Sequence, residues 1–307
     1  MAVTSTALVE THQLGGSAYV AVKCPGDDIR SWLAASPECP QMERKHIAHA
    51  GVMEAVHPFR VVRLFQSGTF MFACLSGCGE VMVDGRWVRM GANEACLLPP
   101  FTANAIRAIQ GESVWKFCWV RYLESPVQNP LVSAKSPVKG VFAAAPLLHA
   151  VMGLHAEASK RAPSAAQSHL WIELLQGYVT TFAQPAHGDS RLWRLWQAVE
   201  ADLGRAWPLA EMAEVAAMSE EHLRRLCASE LGRSPHKHVT SLRMQHACRL
   251  LSTTDDKIAT VAKAVGYASP FTFSNTFRQW TGIQPSAHRN SPKSDAGLSR
   301  PTRSKQS

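Results

Sequence analysis

Two short segments in the C-terminal third of the chain carry side chains that recognise planar hydrogen-bonding groups. The first segment holds Arg224 and Arg225, and the second holds Asn275 and Arg278. A guanidinium can donate two parallel hydrogen bonds to the edge of a guanine, and a carboxamide can pair in a similar way with an adenine. Both segments therefore hold chemistry suited to reading base edges, provided that the fold presents these side chains outward.

The apolar residues of both segments recur at helical spacing, which predicts two helices that each bury one face. The polar side chains lie on the opposite face. A serine, Ser219 or Ser269, stands just before each segment, where its hydroxyl can accept a hydrogen bond from an orphan N–H of the first turn. The inward sets are Leu223, Leu226 and Cys227 in the first helix, and Phe273, Thr276 and Phe277 in the second.

Each of these helices follows a shorter helical pattern and a tight turn. Residues 209–213 and 258–262 match each other in pattern, and the turns contain Ala217-Met218 and Gly266-Tyr267. The sequence therefore predicts two helix-turn-helix units. A predicted helix from Pro235 to about Leu251 joins them and spans roughly 25 Å, which compares with ~34 Å between successive major grooves on one face of DNA.

Residues from about 191 to 289 resemble the DNA-binding domain of AraC/XylS-type bacterial transcription regulators. The resemblance covers about a third of the chain, and the order, the spacing and both serine caps agree. It is carried by residues 213–219, His222-Leu-Arg-Arg-Leu226, Gly232-Arg-Ser-Pro235, residues 243–251 and 258–262, Gly266-Tyr267, Phe273-Ser-Asn-Thr-Phe277, and Gly282-Ile-Gln-Pro285 with Arg289.

This resemblance implies that the outward faces of both second helices contact double-stranded DNA. Glu221 would repel phosphates but can accept a hydrogen bond from a cytosine amine, whereas Phe271 can only touch thymine methyl groups. Lys237 and His238, early in the joining helix, are candidate phosphate contacts. The full set of expected contacts to DNA is Glu221, Arg224, Arg225, Phe271, Thr272, Asn275 and Arg278.

The N-terminal half follows another pattern, in which short apolar runs alternate with turn residues between Arg60 and Tyr122. Asp84-Gly85 is the strongest hairpin signal, because a type I′ turn needs two positive φ angles. The runs predict a small antiparallel barrel or sandwich after an irregular segment, 1–57. Helices at 144–159 and 166–182 are expected to follow.

The fold class that these patterns predict is a multidomain α+β protein. A β-barrel with trailing helices precedes an all-α domain with two helix-turn-helix units. The barrel looks like the cupin-like effector-binding domain that many such regulators carry, a likeness that rests on residues 77–100. The expected domains are 1–187 and 191–290, with a turn-rich linker at 184–190 and a disordered tail at 291–307.

The expected function is that of an effector-responsive regulator of metabolic genes, more often an activator than a repressor. The resemblance implies a homodimer, formed through a helix within 144–184, and RNA polymerase as a partner. A small-molecule effector, either a sugar or an aromatic acid, could stack on Trp87, Trp115 or Trp119 of the barrel.

Two other functions are open at this point. A cupin-type enzyme fused to a DNA-binding module would need imidazole and carboxylate ligands inside the barrel, and no histidine occurs between His57 and His149. His46, His49 and His57 are expected at the surface. No motif for a nucleophile or a bound nucleotide occurs, so we expect no catalytic residue, metal or cofactor. An architectural DNA binder without an effector is the second alternative.

The charge of the chain is unevenly distributed. Residues 191–307 carry 17 Lys and Arg against 10 Asp and Glu, whereas residues 1–190 carry 15 against 14. A basic C-terminal third suits a polyanionic partner. The cysteines form no C-x-x-C pair, so Cys74 and Cys78 are expected to be small buried hydrophobes. No apolar run reaches the ~18 residues of a membrane span and no secretory signal is visible, so a cytoplasmic protein is expected.

Overall fold

The computed structural model describes residues 10–26, 30–63, 68–123, 131–185 and 189–290, with strands in the N-terminal half and helices after them. The strands are β1 (Glu10–Gln13), β2 (Ala18–Lys23), β3 (Ile47–Ala55), β4 (Arg60–Arg63), β5 (Phe70–Ser76), β6 (Gly79–Val83), β7 (Arg86–Met90), β8 (Glu94–Leu98), β9 (Asn104–Ala108), β10 (Trp115–Tyr122) and β11 (Lys139–Val141). The helices are α1 (Ala144–Ala158), α2 (Ala165–Ala183), α3 (Ser190–Ala201), α4 (Leu209–Val215), α5 (Glu220–Leu231), α6 (Pro235–Thr253), α7 (Ile258–Ala264), α8 (Pro270–Thr281) and α9 (Pro285–Asn290).

The strands form two antiparallel sheets. The first sheet has the order β1-β4-β9-β6-β7, and the second has the order β11-β8-β5-β10-β3-β2. The hairpin between β6 and β7 turns at Asp84 and Gly85, whose φ angles are 50° and 75°. This confirms the predicted hairpin, because both central residues of a type I′ turn need positive φ.

The space between the two sheets is filled largely by aromatic side chains. Strand β10 contributes Trp115, Phe117 and Trp119 to this layer, because alternate residues of a strand face the same side. Gly51 of β3 lies opposite Trp119, and a Cβ atom there would lie 2.4 Å from the indole ring and 2.4 Å from the carbonyl oxygen of Val20. The absence of a side chain at residue 51 therefore gives the indole its place in the core.

Helices α1 and α2 cover the outer face of the second sheet. Their inward residues, such as Leu147 and Leu175, pack against Met71 and Val120 of the sheet. The predicted bounds of both helices are confirmed to within one residue. The N-terminal half thus has three layers, two sheets and one pair of helices.

The prediction that residues 1–57 are irregular was wrong, because β1, β2 and β3 lie there. Strand β3 is buried on both faces, between the other sheet and the helices, so it lacks the alternation that marks a strand with one wet face. His49 lies on this strand and is only 2% exposed, so its expected place at the surface was also wrong. His46 and His57 are exposed, as predicted.

The C-terminal helices pack into two adjoining cores that share α6. One core gathers Trp196, Leu223 and Leu242, and the other gathers Leu251, Phe273 and Phe277. Residues 186–188 of the expected linker and the expected disordered tail at 291–307 lie outside the described residues, so the domain bounds remain predictions. No helix in the described ranges is long and apolar enough to cross a membrane.

We predict that Gly51→Ala lowers the free energy of unfolding by about 1–3 kcal/mol, because the added methyl overpacks the site beside Trp119. Gly91→Ala is the control, since the nearest atom beyond its chain neighbours to the new Cβ is a flexible carboxylate oxygen of Glu94 at 3.9 Å. Urea denaturation of both variants measures the effect. Equal stability of the two variants would show that the indole does not need this space.

Candidate nucleic-acid interface

The first helix-turn-helix unit consists of α4 and α5. The hydroxyl of Ser219 caps α5 by accepting a hydrogen bond from the N–H of His222 at 3.2 Å. In the turn before it, Ala217 has a φ of 50°, and the N–H of Met218 donates to the carbonyl of Ala213 at 3.0 Å. A left-handed residue thus reverses the chain and lets α5 cross α4.

The second unit, α7 with α8, repeats this geometry. Ser269 accepts a hydrogen bond from the N–H of Thr272 at 3.4 Å. Gly266 has a φ of 80°, and the N–H of Tyr267 donates to the carbonyl of Ala262 at 2.9 Å. The duplication predicted from the sequence therefore extends to the individual hydrogen bonds of the turn.

The two second helices, α5 and α8, also end alike. Gly232 and Gly282 follow them with φ angles of 72° and 85°, the left-handed conformation that commonly terminates a helix. Pro235 and Pro285 then start α6 and α9, at the first helical position where a missing N–H leaves no hydrogen bond unmade.

The apolar faces of α5 and α8 are buried, as predicted. Leu223 and Cys227 dock α5, and Phe273 and Phe277 dock α8. The opposite faces are open, so all seven residues expected to contact DNA are exposed. These are Glu221, Arg224, Arg225, Phe271, Thr272, Asn275 and Arg278.

The two exposed arginines of α5 have different partners. Arg224 lies 3.2 Å from a carboxylate oxygen of Glu220 and 3.8 Å from one of Glu221. Arg225 instead makes a hydrogen bond with Nδ1 of His222 at 3.0 Å. Arg224 must break its contacts with two carboxylates before it can contact a base, whereas Arg225 must break only its hydrogen bond with His222. We therefore expect Arg225 to be the arginine that binds a guanine.

Phe271 stands out on α8, because 75% of its surface is exposed. A phenyl ring on the exposed face of a helix, in its first turn, gains nothing from contact with water but can pack against thymine methyl groups. Asn275 lies one helical turn later on the exposed face and supplies a donor and an acceptor. The face of α8 therefore combines apolar and amide contacts.

Arg243, on α6, connects the two units, a role that the sequence pattern did not indicate. Its guanidinium donates to the carbonyl oxygens of Leu203 and Arg205, at 3.0 and 2.6 Å. It also lies against the turn of the second unit, where a Cβ on Gly266 would come within 2.7 Å of it. This side chain therefore helps to fix the angle between the units.

The expectation that His238 contacts phosphate was wrong. Its ring is buried, packs edge-on against Trp196 at 4.4 Å, and makes a hydrogen bond with the carbonyl oxygen of Ala134 at 2.8 Å. Burial, assisted by the charge of Arg233, lowers the pKa of His238 to about 3, so the ring is neutral near pH 7. The Lys237 ammonium lies 4.0 Å from Asp84, so a phosphate contact from it stays a prediction that requires it to leave this carboxylate.

The N-terminal half contacts both helix-turn-helix units. Arg233, just after α5, pairs with Asp84 of the β6–β7 turn at 3.4 Å, and the two side chains are only 4% and 8% exposed. The N–H of Ala103 donates to the carbonyl of Trp280, the last-turn residue of α8, at 2.9 Å. These contacts touch the C-terminal ends of α5 and α8 and leave their predicted DNA-contacting residues open.

The three tryptophans expected to contact an effector occupy different environments. Trp87 lies half-buried beneath the guanidinium of Arg107, at 4.0 Å, and is not among the core residues between the sheets. Trp115 is fully buried and donates to the sulfur of Cys74, so a contact from it to an effector stays a prediction. Trp119 lines a cavity between the sheets. Cys74 and Cys78 are buried, as predicted, and the described residues contain no cluster of three or more His, Cys, Asp or Glu that could hold a metal.

Comparison with known proteins identifies the C-terminal region. Residues 212–291 match a family described as a helix-turn-helix domain. The MmsAB operon regulatory protein of Pseudomonas aeruginosa is 33% identical over 89 residues, 29% of this chain and 29% of that protein. The HTH-type transcriptional regulator MtrA of Neisseria gonorrhoeae is 34% identical over 101 residues, 33% of this chain and 34% of that protein. A putative AraC-like transcription regulator of Streptomyces lividans is 28% identical over 146 residues, 48% of this chain and 42% of that protein.

The C-terminal region is an AraC-type helix-turn-helix domain. The expected resemblance is thereby confirmed, and α4–α5 and α7–α8 are the two units of this domain. Less than half of each of these relatives is covered by the match. The AraC-type domain contains all seven exposed residues described above.

We predict that Arg225→Ala weakens binding of the AraC-type domain to its selected DNA by ~1–3 kcal/mol and relaxes the preference at one base pair, because a bidentate contact to guanine is lost. Arg194→Ala is the control, since Arg194 is an exposed cation of the same domain that lies on α3, outside both second helices. Titration against the selected site and its single-base mutants measures both effects. An unchanged base preference in Arg225→Ala, with the fold intact by circular dichroism, would contradict base reading by α5.

Proposed function

We propose that the whole chain is a sequence-specific, DNA-binding transcription regulator that acts in the cytoplasm and responds to a small-molecule effector. The observation that carries this proposal is the pair of matched units, each of which buries an apolar face and leaves expected base contacts exposed. An isolated basic helix could arise on any surface. Two helices with the same caps, the same turn bonds and the same outward face support a shared role in binding one duplex.

The joining helix sets the spacing of the two units. Helix α6 has 19 residues and therefore a length of about 28 Å. This is close to the ~34 Å that separates successive major grooves on one face of DNA. Because α6 packs in both cores, it holds the two units as a rigid spacer. This spacing supports simultaneous insertion of α5 and α8 into neighbouring grooves.

The N-terminal half is proposed to be a cupin-like sensor. The facing sheets enclose a cavity lined by Trp119, and the contacts of Asp84 and Ala103 connect this half to both units of the AraC-type domain. A ligand that changes the packing between the sheets would therefore alter contacts at both units. The cavity between the sheets favours this function over a purely architectural DNA binder. The described residues hold no cluster of metal ligands that would favour the alternative of a cupin-type enzyme.

We propose that α2 forms the contact between two copies of the chain. Leu170 and Leu174 lie one helical turn apart on α2 and are 64% and 48% exposed. Two adjacent exposed leucines on a helix that already buries its other face favour a second apolar surface as the partner. A second copy presents the same surface, as expected of a symmetric dimer. Activation of transcription through RNA polymerase is part of the same proposal.

Selection of binding sites from random duplex DNA tests the proposed function. The recovered sites are expected to contain two conserved blocks about ten base pairs apart, because each unit reads one major groove. Affinity for these sites should fall steeply with salt, because phosphate contacts release counterions. Recovery of no enriched sequence by the full chain would overturn the proposal.

We predict that Leu174→Lys shifts the full chain from dimer to monomer, because two buried ammonium groups would face each other across α2. Val114→Lys is the matched control, since Val114 is 46% exposed and lies just before β10, at the opposite end of this strand from Tyr122, whose hydroxyl contacts α2. Sedimentation equilibrium measures the result. If Leu174→Lys stays dimeric, or the native chain is monomeric at the same concentration, α2 is not the contact.

A further inference from the structure

One end of the space between the sheets is polar, although the rest is apolar. Across the first sheet, Glu10, Arg63 and Asn104 pair in one row through β1, β4 and β9. Across the second sheet, His49 and Arg121 pair in a facing row. Buried charges are costly unless a partner stabilises them, so this cluster is the strongest indication of a ligand outside the DNA-binding face.

The ring of His49 presents a fixed donor to this space. Its Nδ1 accepts a hydrogen bond from the indole N–H of Trp119 at 2.8 Å, and an indole can only donate. Burial and the charges of nearby arginines hold the pKa of His49 well below its usual range, so the neutral ring carries its proton on Nε2. That buried N–H has no hydrogen-bond partner among the described residues.

Trp32 presents a second donor. Its indole N–H is buried and has no partner among the described residues. The ring packs edge-on against His49 and against Trp119, with centroids 5.9 Å apart in each case, and the hydroxyl of Tyr19 donates to its backbone carbonyl. These contacts fix the indole in place, so the donor is held in position before any ligand binds.

Arg63 adds a positive charge beside these donors. It is 5% exposed, stacks on Phe70 at 4.3 Å, and donates one hydrogen bond to the neutral Oδ1 of Asn104 at 3.3 Å. Burial lowers the pKa of Arg63 to about 10, so it stays cationic near pH 7. The nearby carboxylate of Glu10 is held by Arg30, at 2.9 and 3.0 Å, and by His12 at 3.1 Å.

These groups meet in one cavity. His12, Trp32, His49 and Arg63 line a space of about 20 Å³, which admits about one water-sized group. Apolar side chains form the rest of the wall, namely Leu14, Met53, Phe59, Val61, Phe70, Ile106, Phe117 and the ring of Trp119. The polar atoms are mostly donors, and the apolar wall surrounds them on several sides.

We propose that this cavity binds the carboxylate of a small organic acid, whose apolar body enters by displacing side chains of the wall, because the space itself admits only about one water-sized group. This inference rests on the proposed function, because it names the class of the effector. A carboxylate offers acceptors to the N–H groups of Trp32 and His49 and a negative charge to Arg63. A sugar hydroxyl would bring no charge, and a metal cation would be repelled by Arg63.

The ligand class is tested first on the unaltered full chain, with benzoate as the probe. Benzamide is the matched neutral probe, and inorganic phosphate tests for any small anion, with sodium chloride balancing the ionic strength. Benzoate should raise the melting temperature in a concentration-dependent way and bind at least about tenfold more tightly than benzamide in calorimetry. Equal binding of benzoate and benzamide, tighter binding of phosphate, or no binding of any probe overturns the proposal.

Variants then locate the site. Arg63→Gln should weaken benzoate binding at least about tenfold, whereas Arg60→Gln, on the exposed face of the same strand, should leave it unchanged. Trp32→Phe keeps an aromatic ring but removes the N–H, and it should weaken benzoate binding several-fold. This variant serves as the test if Arg63→Gln does not fold. Unchanged benzoate affinity in Arg63→Gln or in Trp32→Phe would place the ligand elsewhere and overturn the proposal.

The two proposals fail separately. A chain that selects DNA but does not prefer benzoate refutes the carboxylate site and leaves the proposed regulator standing. A chain that binds benzoate through Arg63 but enriches no DNA sequence refutes the regulator and leaves the carboxylate site standing. Both measurements use the same purified full chain.

Discussion

The orientation of each second helix depends on a single residue in the left-handed region. Ala217 and Gly266 reverse the chain so that the next N–H can reach the carbonyl of Ala213 or Ala262. Each residue added to a helix rotates its faces by about 100°. A turn one residue longer would therefore direct Leu223 or Phe273 toward solvent and the polar residues toward the core. The outward position of Arg225 and Asn275 follows from this closure.

The two turns meet this constraint with different residues. A non-glycine residue in the left-handed region costs about 1–2 kcal/mol, and Ala217 carries that penalty in the first unit. In the second unit a Cβ would also collide with Arg243, so Gly266 meets two requirements at once. The same arginine holds the carbonyl groups of Leu203 and Arg205. Closure of the second turn and the connection between the units thus share one side chain.

The AraC-type domain could be predicted from the sequence because its signals are local. Ser219, Ser269, Gly232 and Gly282 each mark the end of a helix within a few residues of the apolar pattern that they bound. The DNA-contacting face follows from the same periodicity. The exposure of these residues agrees with the prediction.

The errors arose where burial depends on distant parts of the chain. His238 lies on a helix whose local pattern is amphipathic, but Ala134, more than a hundred residues earlier, covers it. Strand β3 carries no alternation because layers from elsewhere cover both of its faces. Trp115 and Trp119 lie on the same side of one strand, and only the three-dimensional packing shows that Trp119 reaches the cavity. Spacing within a segment does not contain this information.

Asp84 carries two constraints that select the same amino acid. The turn between β6 and β7 requires a positive φ at this position, which Asn, Asp and Gly tolerate best. The buried guanidinium of Arg233 requires a carboxylate, because an uncompensated buried charge is strongly destabilising. Asparagine and glycine satisfy only the first constraint, and glutamate satisfies only the second. Of these four amino acids, only aspartate satisfies both constraints at the hairpin tip. A substitution of Asp84 therefore disturbs both the folding of the sheet and its attachment to the AraC-type domain.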